Sequence, residues 1–302
     1  MSTTRPKAPS KLPATLGMLG MLALLILCAV MLERANWDRL PGVPGEVLGY
    51  LAKMAEGVAS DPRAEPTGRG VAPGDTYGTW WWIAFDKMID SIAMAWIGTV
   101  IGASLSFPLA FLAANNTAPG PLRFAIRGLF NGIRAIPDLV FAILVMLPIF
   151  GLTPTAGAMA LGVNSIGTLG KLTLESIEAI DPGPMEAVRA SGATWLQTMR
   201  VAVVPQMLPE TMAFWLYRFE VNIRASAVLG VLGAGGIGKV LSDVIGHRLW
   251  ERAGITLLVV IVVTVIVDQI SASVRHRIIH GSSSSRRGRA DEPEPLPVTV
   301  TA

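Results

Sequence analysis

The chain has 302 residues, of which 51% are hydrophobic and only 16% charged, with a net charge of +3. Soluble domains carry about a quarter charged residues, so a water-soluble globular protein is excluded. The charge-free run Ile92–Ala114 spans roughly 34 Å as a helix, enough to cross a hydrocarbon core of about 30 Å. The fold class expected is all-α, a polytopic membrane helix bundle. The single cysteine, Cys28, rules out an intrachain disulfide and a cysteine zinc site.

The first apolar run, Leu16–Leu32, follows Arg5, Lys7 and Lys11 and lacks a small-x-small cleavage pattern. It is therefore read as an uncleaved membrane helix, 14–33, after a cytoplasmic tail 1–13. A polar stretch rich in proline and glycine, 34–88, reads as an external loop carrying a short helix around Val47–Val58. Trp80-Trp81-Trp82 at its end marks a membrane interface. Five further spans are expected at 89–114, 136–152, 155–174, 212–235 and 254–273, giving about six transmembrane helices. Within them Gly98, Gly102 and Ser106, and again Ser226, Gly230, Ala234 and Gly238, recur every four residues. Small residues at that spacing let helices approach closely in lipid.

Residues 122–135 form another kind of helix. Leu122, Ile126, Leu129 and Ile133 lie on one side, with Arg123, Arg127 and Arg134 opposite or flanking, the pattern of a helix lying on headgroups. Most arginines and lysines fall in segments that are cytoplasmic if both chain ends are inside, as the positive-inside rule requires. No basic patch interleaved with aromatics points to nucleic acid. The tail 279–302, with four serines, Arg286-Arg287-Gly288-Arg289 and a Pro/Glu stretch, has a disordered composition.

A core of helices is expected over 89–278, with a cytoplasmic loop at about 175–211 inside it. There Pro182 and Pro184 break the chain, Met185–Gly192 forms one short helix, and a second over about Thr194–Val203 ends near Pro205. Glu186 suits the positive end of the first, and Gly192 is a stop. Composition alone leaves this as an ordinary loop. Yet Glu186-Ala187, with Gly192 at position seven and Pro205 at position twenty, resembles the docking loop of ABC-importer permeases, with Val188 in place of the preferred alanine.

The likeness sharpens to the phosphonate-transporter permease family. It is carried by Arg134-Ala-Ile-Pro137-Asp138, Ile166-Gly167-Thr-Leu-Gly-Lys171-Leu172, Leu216-Tyr217-Arg218-Phe219-Glu220, Asn222-Ile-Arg224, Gly233–Gly238 and Asp268-Gln-Ile-Ser271. This resemblance implies a type I ABC-importer permease fold and a homodimeric channel. It also implies two cytoplasmic ATPase subunits docking on Glu186, Ala187, Ala190, Gly192 and Pro205, and an external binding protein delivering phosphonate, phosphite or phosphate. The chain itself is then no enzyme and holds no cofactor, ATP and magnesium belonging to the partner.

Intramembrane charge supplies a second candidate site. Glu220 and Arg224 lie on one helix face four residues apart, the order that favours an ion pair. A charge deep in lipid costs about 2.5–3.5 kcal/mol on insertion scales. Arg224, with Arg134, Arg218, Asn222 and Glu220, is therefore a candidate for substrate passage or gating, against the plainer reading of Glu220 and Arg224 as a structural pair. Asp268 and Lys171 are weaker candidates, read as interhelical partners or as interface snorkellers. Gly233-x-Gly235-x-x-Gly238 satisfies a dinucleotide fingerprint, but no alternating strands and helices surround it. Close packing or a tight turn around Gly233, Gly235, Gly236 and Gly238 explains it better. A membrane scaffold without a transport path is the other class considered, and the retained membrane charges weigh against it.

Overall fold

The computed structural model describes residues 12–31, 41–66, 75–117 and 120–280. The expected tails, 1–13 and 279–302, fall mostly outside these residues. Among the described residues there are ten helices and no strand. The chain divides into two compact units, Met1–Leu51 and Ala52–Ala302.

The first unit holds α1 (Leu12–Met31), apolar on all sides and with exposed side chains, and the start of α2 (Val43–Ala59). The second holds α3 (Tyr77–Ala113), α4 (Gly120–Ala135), α5 (Asp138–Phe150), α6 (Pro154–Glu178) and α7 (Pro182–Ala190). It continues with α8 (Trp195–Ala234), α9 (Gly236–Gly246) and α10 (Trp250–His280). Helices cover most of the described residues in each of the six expected spans. Two described helices, α3 and α10, are long and apolar enough to cross a membrane, or up to four spans if α4 with α5 and α8 with α9 each count as one bent span. The helix α6 falls short on hydropathy because its Gly, Ser, Thr and Asn residues pack inside the bundle rather than against lipid.

Several boundaries differ from the expectation, each for a local reason. The helix α3 begins at Tyr77, twelve residues before position 89, so the Trp80–Trp82 triplet lies within a helix rather than in the loop. Thr76 caps it by accepting from the Thr79 N–H at 3.2 Å, and Lys87 neutralises Asp86 and Asp90 at 3.1 and 2.8 Å. The prolines at 182 and 184 start a helix rather than break one. Asp181 caps α7 by accepting from Gly183 N at 2.9 Å, and proline in a first turn loses no hydrogen bond. Nor does the chain stop at Pro205, because α8 runs through Pro205 and Pro209 to Ala234. A widened π-turn over Met199–Val203 precedes the first proline and relieves the clash of its ring with the carbonyl one turn back.

Close helix approach organises the middle of the bundle. A side chain on Gly98 would meet Leu161 Cβ at 2.8 Å, and one on Gly102 would enter Ser165, so α3 and α6 touch along the predicted small-residue row. The second row is not one continuous helix. Gly233 (φ 101°), Gly235 (φ 85°) and Gly236 (φ 65°) break it, and α8 and α9 meet at 59°. Gly230 and Gly238 then face each other across the break, and a Cβ on Gly238 would strike the Ala227 carbonyl. The fingerprint-like glycines thus make a helix–turn–helix corner, with no strand to support a dinucleotide site. Gly238→Ala is expected to cost about 1–3 kcal/mol or more, because backbone rather than a flexible side chain must yield. A fall in detergent melting temperature checks it.

Candidate functional site

Three constellations stand out. The first is the α7 segment. Met185 is buried with Met199, Ala202, Val203 and Met207 in a core that also takes Ile126, Phe130, Leu174 and Ile177 from α4 and α6. With that face anchored, Glu186, Ala187 and Ala190 are turned to solvent. Ser191 ends the helix and Gly192 follows at φ 80°, a conformation costing an L-residue roughly 1–2 kcal/mol. Thr194 then opens α8 with a capping box to Gln197. Gln206, next to Pro205, closes the loop by accepting from Asp181 N at 3.2 Å and donating to Ala202 O at 2.7 Å. The five residues expected to dock a partner therefore sit in one exposed, doubly capped unit.

The second constellation is buried. Arg218 of α8, 7% exposed, donates from Nε to Ser165 Oγ at 2.9 Å and from Nη2 to Asn164 Oδ1 at 2.7 Å. Its Nη2 also lies 3.7 Å from Asp138 Oδ2. Asn222, one turn further, donates to Thr99 Oγ1 at 2.9 Å and Ser165 Oγ at 3.1 Å. Four elements, α3, α5, α6 and α8, thus converge on one polar knot inside an apolar bundle. Asp138 arrives there because α4 and α5 meet at 90° across Ile136-Pro137, which turns the first residue of α5 inward.

The third lies between α8 and α10. The expected Glu220–Arg224 pair within one helix is not formed. Glu220 instead pairs with Arg275, and Arg224 with Asp268 at 3.1 Å. The helix α10 passes close enough to offer each charge a partner with better reach than its neighbour on α8. The two pairs differ in setting. The Glu220 side chain is 9% exposed, whereas that of Arg224 is 52% exposed. Lys171 pairs with Glu175 on its own helix at 3.2 Å.

The structure therefore brings Arg218 and Asn222 into one cluster and Glu220 and Arg224 into another. Arg134 is an exposed residue of α4 whose stem packs beside Gly167. The helix α4 also differs from its expected sides. Leu122 and Leu129 are exposed, Ile126 and Phe130 are buried, and Arg127 turns inward to pair with Glu178. The residues missed were Thr99, Asn164 and Ser165, polar side chains scattered in apolar runs, and Arg275, which lies close to the chain's basic tail. Their one signal was polarity at a depth where an unpaired group is costly.

A helix bundle with an exposed loop helix, a largely buried polar centre and ion pairs between helices can now be set beside known proteins. Residues 106–280, more than half the chain, match the family of binding-protein-dependent transport system inner membrane components. The "Phosphate-import permease protein PhnE" of Mycolicibacterium smegmatis is 39% identical over 196 residues, 65% of this chain but 37% of that relative's length. The "Phosphite transport system permease protein PtxC" of Stutzerimonas stutzeri is 40% identical over 205 residues, covering 67% of this chain and 73% of the relative. Among solved structures, an inward-facing form of the MetNI methionine ABC transporter superposes with a TM-score of 0.59 at 19% identity, over 65% of this chain and 96% of that one. The chain belongs to the binding-protein-dependent transport system inner membrane components and has the fold of a type I ABC-importer permease.

Proposed function

We propose that this chain is the transmembrane channel subunit of an ABC importer that carries phosphonate, phosphite or phosphate inward. It works as a homodimer with two ATPase subunits on the cytoplasmic side and an external phosphonate- or phosphate-binding protein. Both chain ends are cytoplasmic, with Arg123 and Arg134 of α4 towards the inner headgroups. ATP and magnesium are bound by the partner, which docks on Glu186, Ala187, Ala190, Gly192 and Pro205. The observation that carries this reading is α7, a capped helix that buries Met185 and leaves Glu186, Ala187 and Ala190 exposed to enter a groove. The names of the relatives support the oxyanion class.

The pathway reading rests on Arg224. Half of its side chain is uncovered within one protomer, and neither lipid nor its own bundle satisfies that surface. A water-filled path shared with the second copy does, and guanidinium can bind phosphonate oxygens as a planar fork. Arg218 and the Asn222 amide nitrogen, engaged by Ser165, Asn164 and Thr99, serve as the gate's packing rather than as substrate ligands.

Affinity purification from mildly solubilised membranes tests the assembly. The expected result is a stoichiometric P-loop ATPase bound to the chain. Its association should fall at least tenfold in Glu186→Lys and Gly192→Val, while the chain remains in the membrane. A stable chain that copurifies with no ATPase overturns the proposal.

A further inference from the structure

The end of α3 is held in an unusual way. Helix C-termini leave several carbonyls without intrahelical donors, and here α4, α7 and α8 supply donors while α6 supplies acceptors. Arg127 of α4 donates from Nε to Ala113 O at 2.9 Å, and its Nη2 pairs with Glu178, whose carboxylate also accepts from Asn115 N at 2.7 Å. The Asn116 side chain donates to Ile177 O of α6 at 2.8 Å. The last two donors come from the docking segment: Arg189 Nη2 to Asn116 O at 3.2 Å, and Trp195 Nε1 to Thr117 O at 3.0 Å.

These last two contacts bridge more than seventy residues of sequence and hold backbone rather than flexible side chain. One comes from the last turn of the proposed docking helix, Arg189 of α7, and the other from the start of α8 just after it, Trp195. About 21 Å along α3 from Ala113, Thr99 accepts from Asn222 in the Arg218 cluster. Gly98 and Gly102 lock that stretch against α6. One helix is thus gripped at its lower end by the docking segment and at its middle by the buried polar centre. Pro108, lacking an N–H, stands between the two anchors, and proline is a residue at which helices bend.

We infer that Arg189 and Trp195 are positioning residues that carry displacement of the docked α7 helix to α3, and through Thr99 and Asn222 to the Arg218 cluster. This rests on the proposed docking of an ATPase at α7. It adds a route: the force is conveyed to the end of α3 as well as along α8, which is continuous with the docking segment. The two hydrogen bonds are directional, so when α7 moves, the Asn116 and Thr117 carbonyls must follow or the bonds must break.

The test uses proteoliposomes containing the full chain, its ATPase and the external binding protein, with phosphite as the transported probe. Trp195→Phe keeps the ring and removes the donor; Arg189→Met removes the other, and Arg189→Lys restores a donor of similar reach. Both the ATPase rate and the phosphite moved per ATP are read. The expected result is that Trp195→Phe with Arg189→Met keeps ATPase association and hydrolysis within twofold while uptake per ATP falls at least fivefold. Trp195→Phe with Arg189→Lys should recover part of the ratio. Thr99→Val, at the other anchor, should lower the same ratio. An unchanged ratio in the first pair overturns the inference, as does a parallel loss of hydrolysis and uptake. Wild-type vesicles that bind no ATPase would instead sink the transporter reading itself.

Discussion

Asp138→Asn is expected to destabilise the protein by about 3 kcal/mol, more than Arg218→Met does, although both remove the same ion pair. The asymmetry follows from burial. Arg218 is the enclosed member, its side chain 9% exposed against 32% for Asp138. Neutralising Asp138 leaves a guanidinium inside the bundle with only neutral partners, Ser165 and Asn164. A centrally placed arginine costs about 2.5–3.5 kcal/mol on insertion scales when nothing offsets it. Arg218→Met removes that cost together with the charge, and the exposed part of the Asp138 carboxylate can hydrate. It forfeits two hydrogen bonds, each worth about 0.6 kcal/mol on average inside membrane proteins. The double substitution should therefore be more stable than Asp138→Asn alone. Thermal unfolding in detergent gives the order directly, and Arg218→Met proving the more damaging single change would remove the argument.

The membrane helices were largely legible in sequence because length and absence of charge suffice to place them. The short helix ending at Gly192 was legible for a different reason, since a glycine at a helix end marks a left-handed turn. Boundaries failed where a tertiary contact overruled local chemistry. Pro205 reads as a helix end until the π-turn at Met199–Val203 makes room for it. Lys87 between Asp86 and Asp90 reads as loop until their mutual pairing lets α3 start at Tyr77. The polar centre failed for a more general reason. Thr99, Asn164 and Ser165 come from two helices that are distant in sequence, and only the close approach at Gly98 and Gly102 puts them within reach of Asn222 and Arg218. A row of small residues indicates that two helices touch without saying which two.

The same limit explains why spacing on one helix misled at Glu220 and Arg224, and their true partners separate a structural charge from a functional one. Arg275→Gln leaves the nearly enclosed Glu220 carboxylate without its cation and is expected to cost about 3 kcal/mol, the low end for breaking a buried pair. Uptake should fall only as far as the amount of assembled transporter falls, and the reversal Glu220→Arg with Arg275→Glu should recover part of the loss. Arg224→Gln should behave in the opposite way. Its pair with Asp268 is half open, so stability should change by no more than about 1 kcal/mol, as for exposed pairs. Phosphite uptake by the assembled complex should nevertheless fall at least tenfold, equivalent to about 1.4 kcal/mol of lost interaction with the passing oxyanion. Arg224→Lys, which keeps the charge but not the fork, should lie between. Uptake unchanged in Arg224→Gln with the dimer intact would return this arginine to the role of an interhelical brace. The pathway charge would then have to be sought elsewhere in the bundle.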